Sequence, residues 1–278
     1  MGVILPLAWG LLAIVLSMGV AGASLATAAE PLVILASPSL KAPLEALGEA
    51  FEAGHPDVRV KLHYESAIDL RRTIAQMQNN GKHHIESGPF HLLAPGGAEL
   101  ITRMEQKYYV LPNTRRPFAT ARLVLVVPAS LAEAPETFEA LARDASLRVA
   151  IVDPAASQTG QVTQELLEGM GLVKALEGRL DIAHDSAGVL DHILHGQADV
   201  GIVRSTEVRR HQDRVRIAAE APPASHAQIV YEIAMERFCP NRPLCQEFLV
   251  FTQSPEARTI LKRLGYGVPG DDSVASSR

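Results

Sequence analysis

Cysteine is nearly missing from this chain: its 278 residues include only Cys239 and Cys245, on either side of Pro-Asn-Arg-Pro-Leu. A lone pair of thiols does not complete a zinc site, and in an oxidising compartment this spacing favours a short bridged loop. A basic excess is lacking as well. With 26 Lys and Arg against 31 Asp and Glu the formal net charge is −5, which argues against a general polyanion binder, because nucleic-acid binding leaves a basic footprint. Three enzyme signatures are absent: the G-x-S-x-G elbow, the phosphate-cradling G-x-x-x-x-G-K-[ST] and a G-x-G-x-x-G opening the first helix. Internal repeats and long low-complexity tracts are missing too.

Charge is also absent from the start of the chain. Residues 2–29 carry none, 3–20 form an apolar run, and Ala26-Thr27-Ala28 is a small-x-small pattern ahead of Glu30. A cleaved signal peptide over 1–29, and hence a periplasmic protein, is the leading expectation. The absence of Lys and Arg before the run, and its length, leave a retained anchor as the alternative. With no cysteine near the cleavage pattern, a lipid anchor is not expected. About 249 residues then remain (278 less 29), enough for one large domain or for two lobes around a cleft.

Those residues alternate between strand-like and helix-like periodicity. Strands are predicted over 32–36, 58–64, 91–94, 123–127, 149–152, 200–203 and 229–235. Helices are predicted over 40–53, 68–79, 99–106, 137–142, 162–169, 189–195, 246–252 and 255–264. The run 123–127 ends at Pro128 and suits a strand buried on both faces, placed where the chain crosses between lobes. The tail 269–278 has the composition of a disordered segment.

Hydroxyl side chains recur where strands hand over to helices. Ser37 and Ser39 follow the first strand, Ser66 the second, Ser157 and Thr159 lie in DPAASQTG, Ser186 in HDSAG, and Ser205 and Thr206 follow GIVR. In an open α/β sheet ligands bind beyond the carboxyl ends of the strands, where helix N-termini offer free N–H groups to an anion. Ordinary N-capping accounts for any one of these residues taken singly; their repeated placement points to a site. Asp153, Asp185 and Asp199 sit near strand ends as well, where capping or ion pairing is the leading expectation. The ten histidines include His83, His84 and His91 in a Gly- and Pro-containing loop, and His192 and His195 three apart on a helix. None has the H-E-x-x-H spacing, so a metal carrier using the loop histidines stands only as an alternative.

From residue 31 to 268 the chain resembles the periplasmic molybdate-binding proteins, the solute receptors of molybdate ABC importers. The resemblance is carried by VILASPSLKAPLEALGEAFEAGHPDVRV, ESAIDLRRTI, RLVLVVP, VDPAASQTGQVTQELLEGMGL, GQADVGIVRSTEV and SPEARTILKRLGYGVP, in that order. It implies an α/β, two-lobed periplasmic binding protein fold of type II-like organisation, each lobe a sheet flanked by helices. Lobe I would hold residues 30–121 and 229–268, and lobe II 122–228. It further implies a monomeric, non-enzymatic receptor with no cofactor or metal, which closes on a small oxyanion, serves a membrane ABC permease and does not bind nucleic acid.

Ligand-binding residues carried over by the resemblance are Ser39, Ser66, Thr159, Ser186 and Arg204. Ser66 stands one place before Ala67, which aligns with the family's serine, and Thr159 replaces the alanine of a P-A-G motif. Ser186 follows Asp185 as the family's backbone donor does. The P-A-D segment expected after the second helix is replaced by the histidine-containing loop, and Arg204 stands where a tyrosine is expected. A guanidinium suits a carboxylate or phosphate-like group, so a same-fold receptor for an organic anion, or one serving in sensing, is the first alternative.

Overall fold

The computed structural model of the chain describes residues 2, 29–65, 69, 70, 72, 84, 85, 88–155, 157–222 and 225–270. The leader, most of the helix predicted over 68–79, Ser66, His83 and the tail beyond 270 lie outside the described residues. The apolar run after Glu30 forms β1 (Glu30–Ala36), and the amphipathic segment after it forms α1 (Lys41–Gly54). Then follow β2 (Val58–Tyr64), a hairpin of β3 (His84–Ile85) and β4 (Gly88–Pro89), β5 (Leu92–Ala94), α2 (Ala98–Gln106) and β6 (Arg116–Ala121).

A second series begins with β7 (Leu123–Pro128), the short helix α3 (Ala140–Arg143), β8 (Val149–Val152) and α4 (Gln158–Gly169). It continues through β9 (Leu180–Ala183), α5 (Ser186–Leu194), β10 (Val200–Arg204), α6 (Ser205–Val208) and β11 (Val215–Glu220). The chain then returns through β12 (Ile229–Met235) to α7 (Arg242–Phe251) and α8 (Pro255–Arg263).

These strands form two mixed five-stranded sheets, ordered β2-β1-β5-β12-β6 and β11-β7-β10-β8-β9, so the fold is α/β with two lobes. In the first, β2, β1 and β5 run parallel, while β12 runs antiparallel to both β5 and β6. In the second, β9, β8 and β10 are parallel and β7 is antiparallel to β10 and β11. The chain passes between sheets at Arg122 and returns between Glu220 and Ile229. All of β7 therefore belongs to the second sheet; the crossing expected within it falls one residue before its start.

Strand periodicity decides which side chains reach which core. Leu32, Ile34 and Ala36 of β1 pack on the α1 side with Leu44, Leu47 and Phe51, whereas Val33 and Leu35 turn to the opposite layer with Leu100 and Met104. Phe51 meets Phe248 edge-on at 5.1 Å, which docks α7 onto α1. Burial of each such side chain contributes roughly 1.5–3 kcal/mol. Cys239 and Cys245 are joined by a disulfide at the head of α7.

Several element boundaries differ from the sequence expectation. Strands β6, β9 and β11 were not expected: β6 contains Pro117, and β9 and β11 are edge strands with much of their length open to solvent. The helix expected over 137–142 shrinks to one turn at Ala140–Arg143. Conversely, α4 starts four residues before the expected 162, because Ser157 caps it, and α5 starts at Ser186 because Asp185 caps it.

Candidate functional site

One wall of the site grows from the end of β1. The Ser37 N–H donates to the Ala94 carbonyl at 3.0 Å, and Pro38 opens a tight turn over Pro38–Leu40 that runs straight into α1. Proline suits this position, since its missing N–H is one a helix start leaves unpaired anyway. The turn brings the Ser37 and Ser39 hydroxyls within 3.0 Å of each other. The loop after β5 packs on them: Gly96 has φ +79°, and a Cβ there would lie 2.7 Å from the Ser37 Cβ and 3.2 Å from the Ser39 Oγ. Only glycine meets both the dihedral and the spacing.

The other wall is built from the carboxyl ends of β8, β9 and β10. Val152 and Ala183 are paired neighbours, so the starts of α4 and α5 lie side by side at one sheet edge. Ser157 accepts from the Gly160 N–H at 3.0 Å and Asp185 from the Gly188 N–H at 2.8 Å. Asp185 is thus a helix cap, as is Ser157. Thr159 and Ser186 sit in the first turns so formed, and both are buried. Gly160 permits this arrangement, because a Cβ there would stand 2.5 Å from the Asp153 carbonyl group. The first N–H groups of a helix have no partner within it, so both turns present donors suited to an anion.

The two walls touch. A Cβ on Gly97, the N-cap residue of α2, would lie 3.2 Å from the Gln158 side-chain oxygen at the start of α4. A second link runs through two tyrosines. Arg204, the last residue of β10, donates through Nη1 to the Tyr231 hydroxyl at 2.9 Å and through Nη2 to Glu207 Oε1 at 2.7 Å. The Tyr231 ring meets that of Tyr266 edge-on at 5.8 Å, and the Tyr266 hydroxyl donates to the Ser39 carbonyl at 3.4 Å. Burial pushes both tyrosine hydroxyls above their ordinary range, which keeps them neutral.

Arg204 is therefore not a surface group: its side chain is 11% exposed, and it pairs with a nearby acid. Its Nε–H is buried and meets no acceptor among the described residues. Of the five positions carried over by resemblance, Ser39 and Arg204 are joined through the tyrosine chain. Thr159 and Ser186 share the edge of the second sheet with Arg204, and Ser66 lies outside the described residues. Ser205 donates its N–H to the Arg122 carbonyl at 2.8 Å, which assigns it to the crossing between sheets.

The histidines are dispersed. His91 is buried beside β5 rather than held in an open loop; its Nδ1 accepts from the Val33 N–H at 3.1 Å, and burial lowers its pKa. His192 bonds Asp181 at 2.6 Å, while His195 bonds the Asp191 carbonyl within its own helix. Among the described residues no group of three or more His, Cys, Asp or Glu is placed to hold a metal ion.

Gly96, Gly97, Gln158, Glu207, Tyr231 and Tyr266 escaped the reading of the sequence as site residues. Gln158 lies within a quoted motif, and Pro95-Gly96-Gly97 carries a turn signal after a strand. Tyr231 has no such mark, since it lies in an ordinary strand pattern, whereas Tyr266 stands between two glycines in SPEARTILKRLGYGVP.

A model of the bacterial extracellular solute-binding protein family matches residues 32–267. YvgL of Bacillus subtilis, whose name makes it an ABC transporter substrate-binding lipoprotein, is 23% identical over 235 residues, 84% of this chain and 85% of its own. The molybdate-binding protein ModA of Haemophilus influenzae is 25% identical over 252 residues, 88% of this chain and 92% of its own. The solved periplasmic molybdate-binding protein of Azotobacter vinelandii superposes with a TM-score of 0.67 at 19% identity, covering 86% of this chain and 99% of that one. Solute-binding proteins of ABC transporters take up a small ligand and work with a permease. With the family model matched over nearly the whole fold, this chain belongs to the bacterial extracellular solute-binding proteins and is a binding protein, not an enzyme.

Proposed function

We propose that the protein is a monomeric periplasmic receptor that captures a small oxyanion of the molybdate or tungstate kind and delivers it to an ABC permease. In this reading residues 1–29 are a cleaved leader. Residues 30–121 with 229–268, and residues 122–228, are the two bodies that close on the ligand. Ser39 and Ser66 serve one wall; Thr159, Ser186 and Arg204 serve the other. Hydroxyls and helix-start amides replace the water shell of a dehydrated anion without a full countercharge. The observation that carries the reading is the Arg204 Nε–H, buried without an acceptor among the described residues, at the end of a chain of contacts that leads to Ser39. A buried N–H in this position is suited to an oxygen supplied by the ligand.

Calorimetry of the mature protein against molybdate, tungstate, sulfate, phosphate and simple carboxylates tests this. Saturable binding of a tetrahedral oxyanion is expected, with Ser39→Ala and Arg204→Gln each weakening it about tenfold or more, the equivalent of a hydrogen bond to a charged group. A second reading follows from Arg204 standing where the resemblance expects tyrosine: a planar guanidinium matches a carboxylate, so the ligand is an organic anion. Preference for a carboxylate over every tetrahedral oxyanion would establish that reading in place of the first.

A further inference from the structure

We propose that Glu207 sets how much anionic charge the cleft accepts, by compensating the guanidinium of Arg204. The inference rests on the oxyanion reading above. Arg204 and Glu207 are one helical turn apart, at the end of β10 and in the short helix that follows, so their pairing is built locally and does not wait for the lobes to close. The carboxylate is 20% exposed and the guanidinium 11%, so water screens the pair poorly. Tyr231 fixes the other end of the guanidinium, through the bond to Nη1 and through its ring, 5.9 Å from Cζ. The cation is thus held from two sides, while its buried Nε–H has no partner among the described residues.

A ligand oxygen arriving at that donor meets a neutral pair in which the attraction of Arg204 is largely cancelled by Glu207. Shape and dipoles then decide affinity, and extra ligand charge gains little. Removing the carboxylate charge leaves a partly buried, uncompensated cation whose pull grows with the charge on the ligand. At the separations of one side chain and the effective dielectric of a protein site, that difference is on the order of tenfold per unit of ligand charge.

Molybdate and perrhenate separate charge from shape, because both are tetrahedral oxyanions of similar size, with charges of −2 and −1. Calorimetry on the mature protein gives the ratio of the two affinities. Glu207→Gln, which keeps an acceptor for Nη2, is expected to shift this ratio towards molybdate by about tenfold. Arg204→Gln, which leaves Glu207 uncompensated, is expected to shift it about as far towards perrhenate. The double variant should fall near the wild type. A folded Glu207→Gln with an unchanged ratio overturns the role of Glu207 while wild-type binding still upholds the oxyanion reading. If Glu207→Gln does not fold, an unmoved ratio in Arg204→Gln overturns it equally. Failure of the wild type to bind either anion removes both proposals.

Discussion

Glu236 has a fully buried carboxyl group that accepts from the Phe238 N–H at 2.5 Å, and burial pushes its pKa up from 4.5 to about 7. The native state therefore holds a proton between pH 4.5 and 7 that the unfolded chain has released. Stability contributed by the neutral form is present below the unfolded value and is lost as pH rises through the folded one. Glu236→Gln, neutral throughout, should match the wild type near pH 4 and exceed it by roughly 3 kcal/mol at pH 8, from the size of the shift. Urea unfolding at the two pH values measures the difference, and an equal effect at both would refute it. Glu236 also illustrates what a sequence conceals: a glutamate beside Arg237 has the mark of a solvated residue, whereas in the fold it bridges Val110 and is fully buried. The same limit applies at the site. The turn that holds Ser39 was legible because it follows the strand directly, whereas the partnership of Arg204 with Tyr231 depends on two sheets meeting.

At the scale of elements, long runs with one clear period were readable: β2 and β12 have the predicted bounds, and α1, β7 and β8 differ by at most one residue at either end. Such segments satisfy propensity and burial at once. The edge strands β9 and β11 failed that test, since pairing on one side supplies a ladder that their half-exposed sequences do not advertise. The start of α4 depends on close packing as well as on capping. Gly160→Ala places a methyl group against the Asp153 carbonyl, and backbone cannot move aside as a side-chain tip can. The first turn must then shift away from β8, taking Ser157 and Thr159 with it. We expect a loss of about 1–3 kcal/mol in stability, typical of overpacking, together with weaker molybdate binding. Thermal unfolding and calorimetry on the same sample check both parts; full affinity in a destabilised protein would show that the position of this turn does not matter to the ligand.

For the whole molecule, the two crossings of the chain between sheets define where one lobe can rotate on the other. Near them Arg122 and Glu220, one at each crossing, form an ion pair at 2.6 Å within the second lobe, and the contact of Arg204 with Tyr231 ties the two lobes. The touch between Gly97 and Gln158 joins two helix starts instead and involves no ion pair or disulfide. Opening about the crossings should therefore separate Gly97 from Gln158 while leaving the crossing contacts in place, a hinge motion of the kind that encloses ligands. An anion bridging both walls favours the closed population by its extra contacts there. At a ligand concentration one hundred times Kd the gain is about 2.7 kcal/mol, which for a chain of this size raises Tm by roughly 5 to 10 °C. Small-angle scattering should record a smaller radius of gyration over the same titration. A rise in Tm without compaction would mean that the ligand binds a single lobe, or a cleft already closed, and the hinge would have no part in capture.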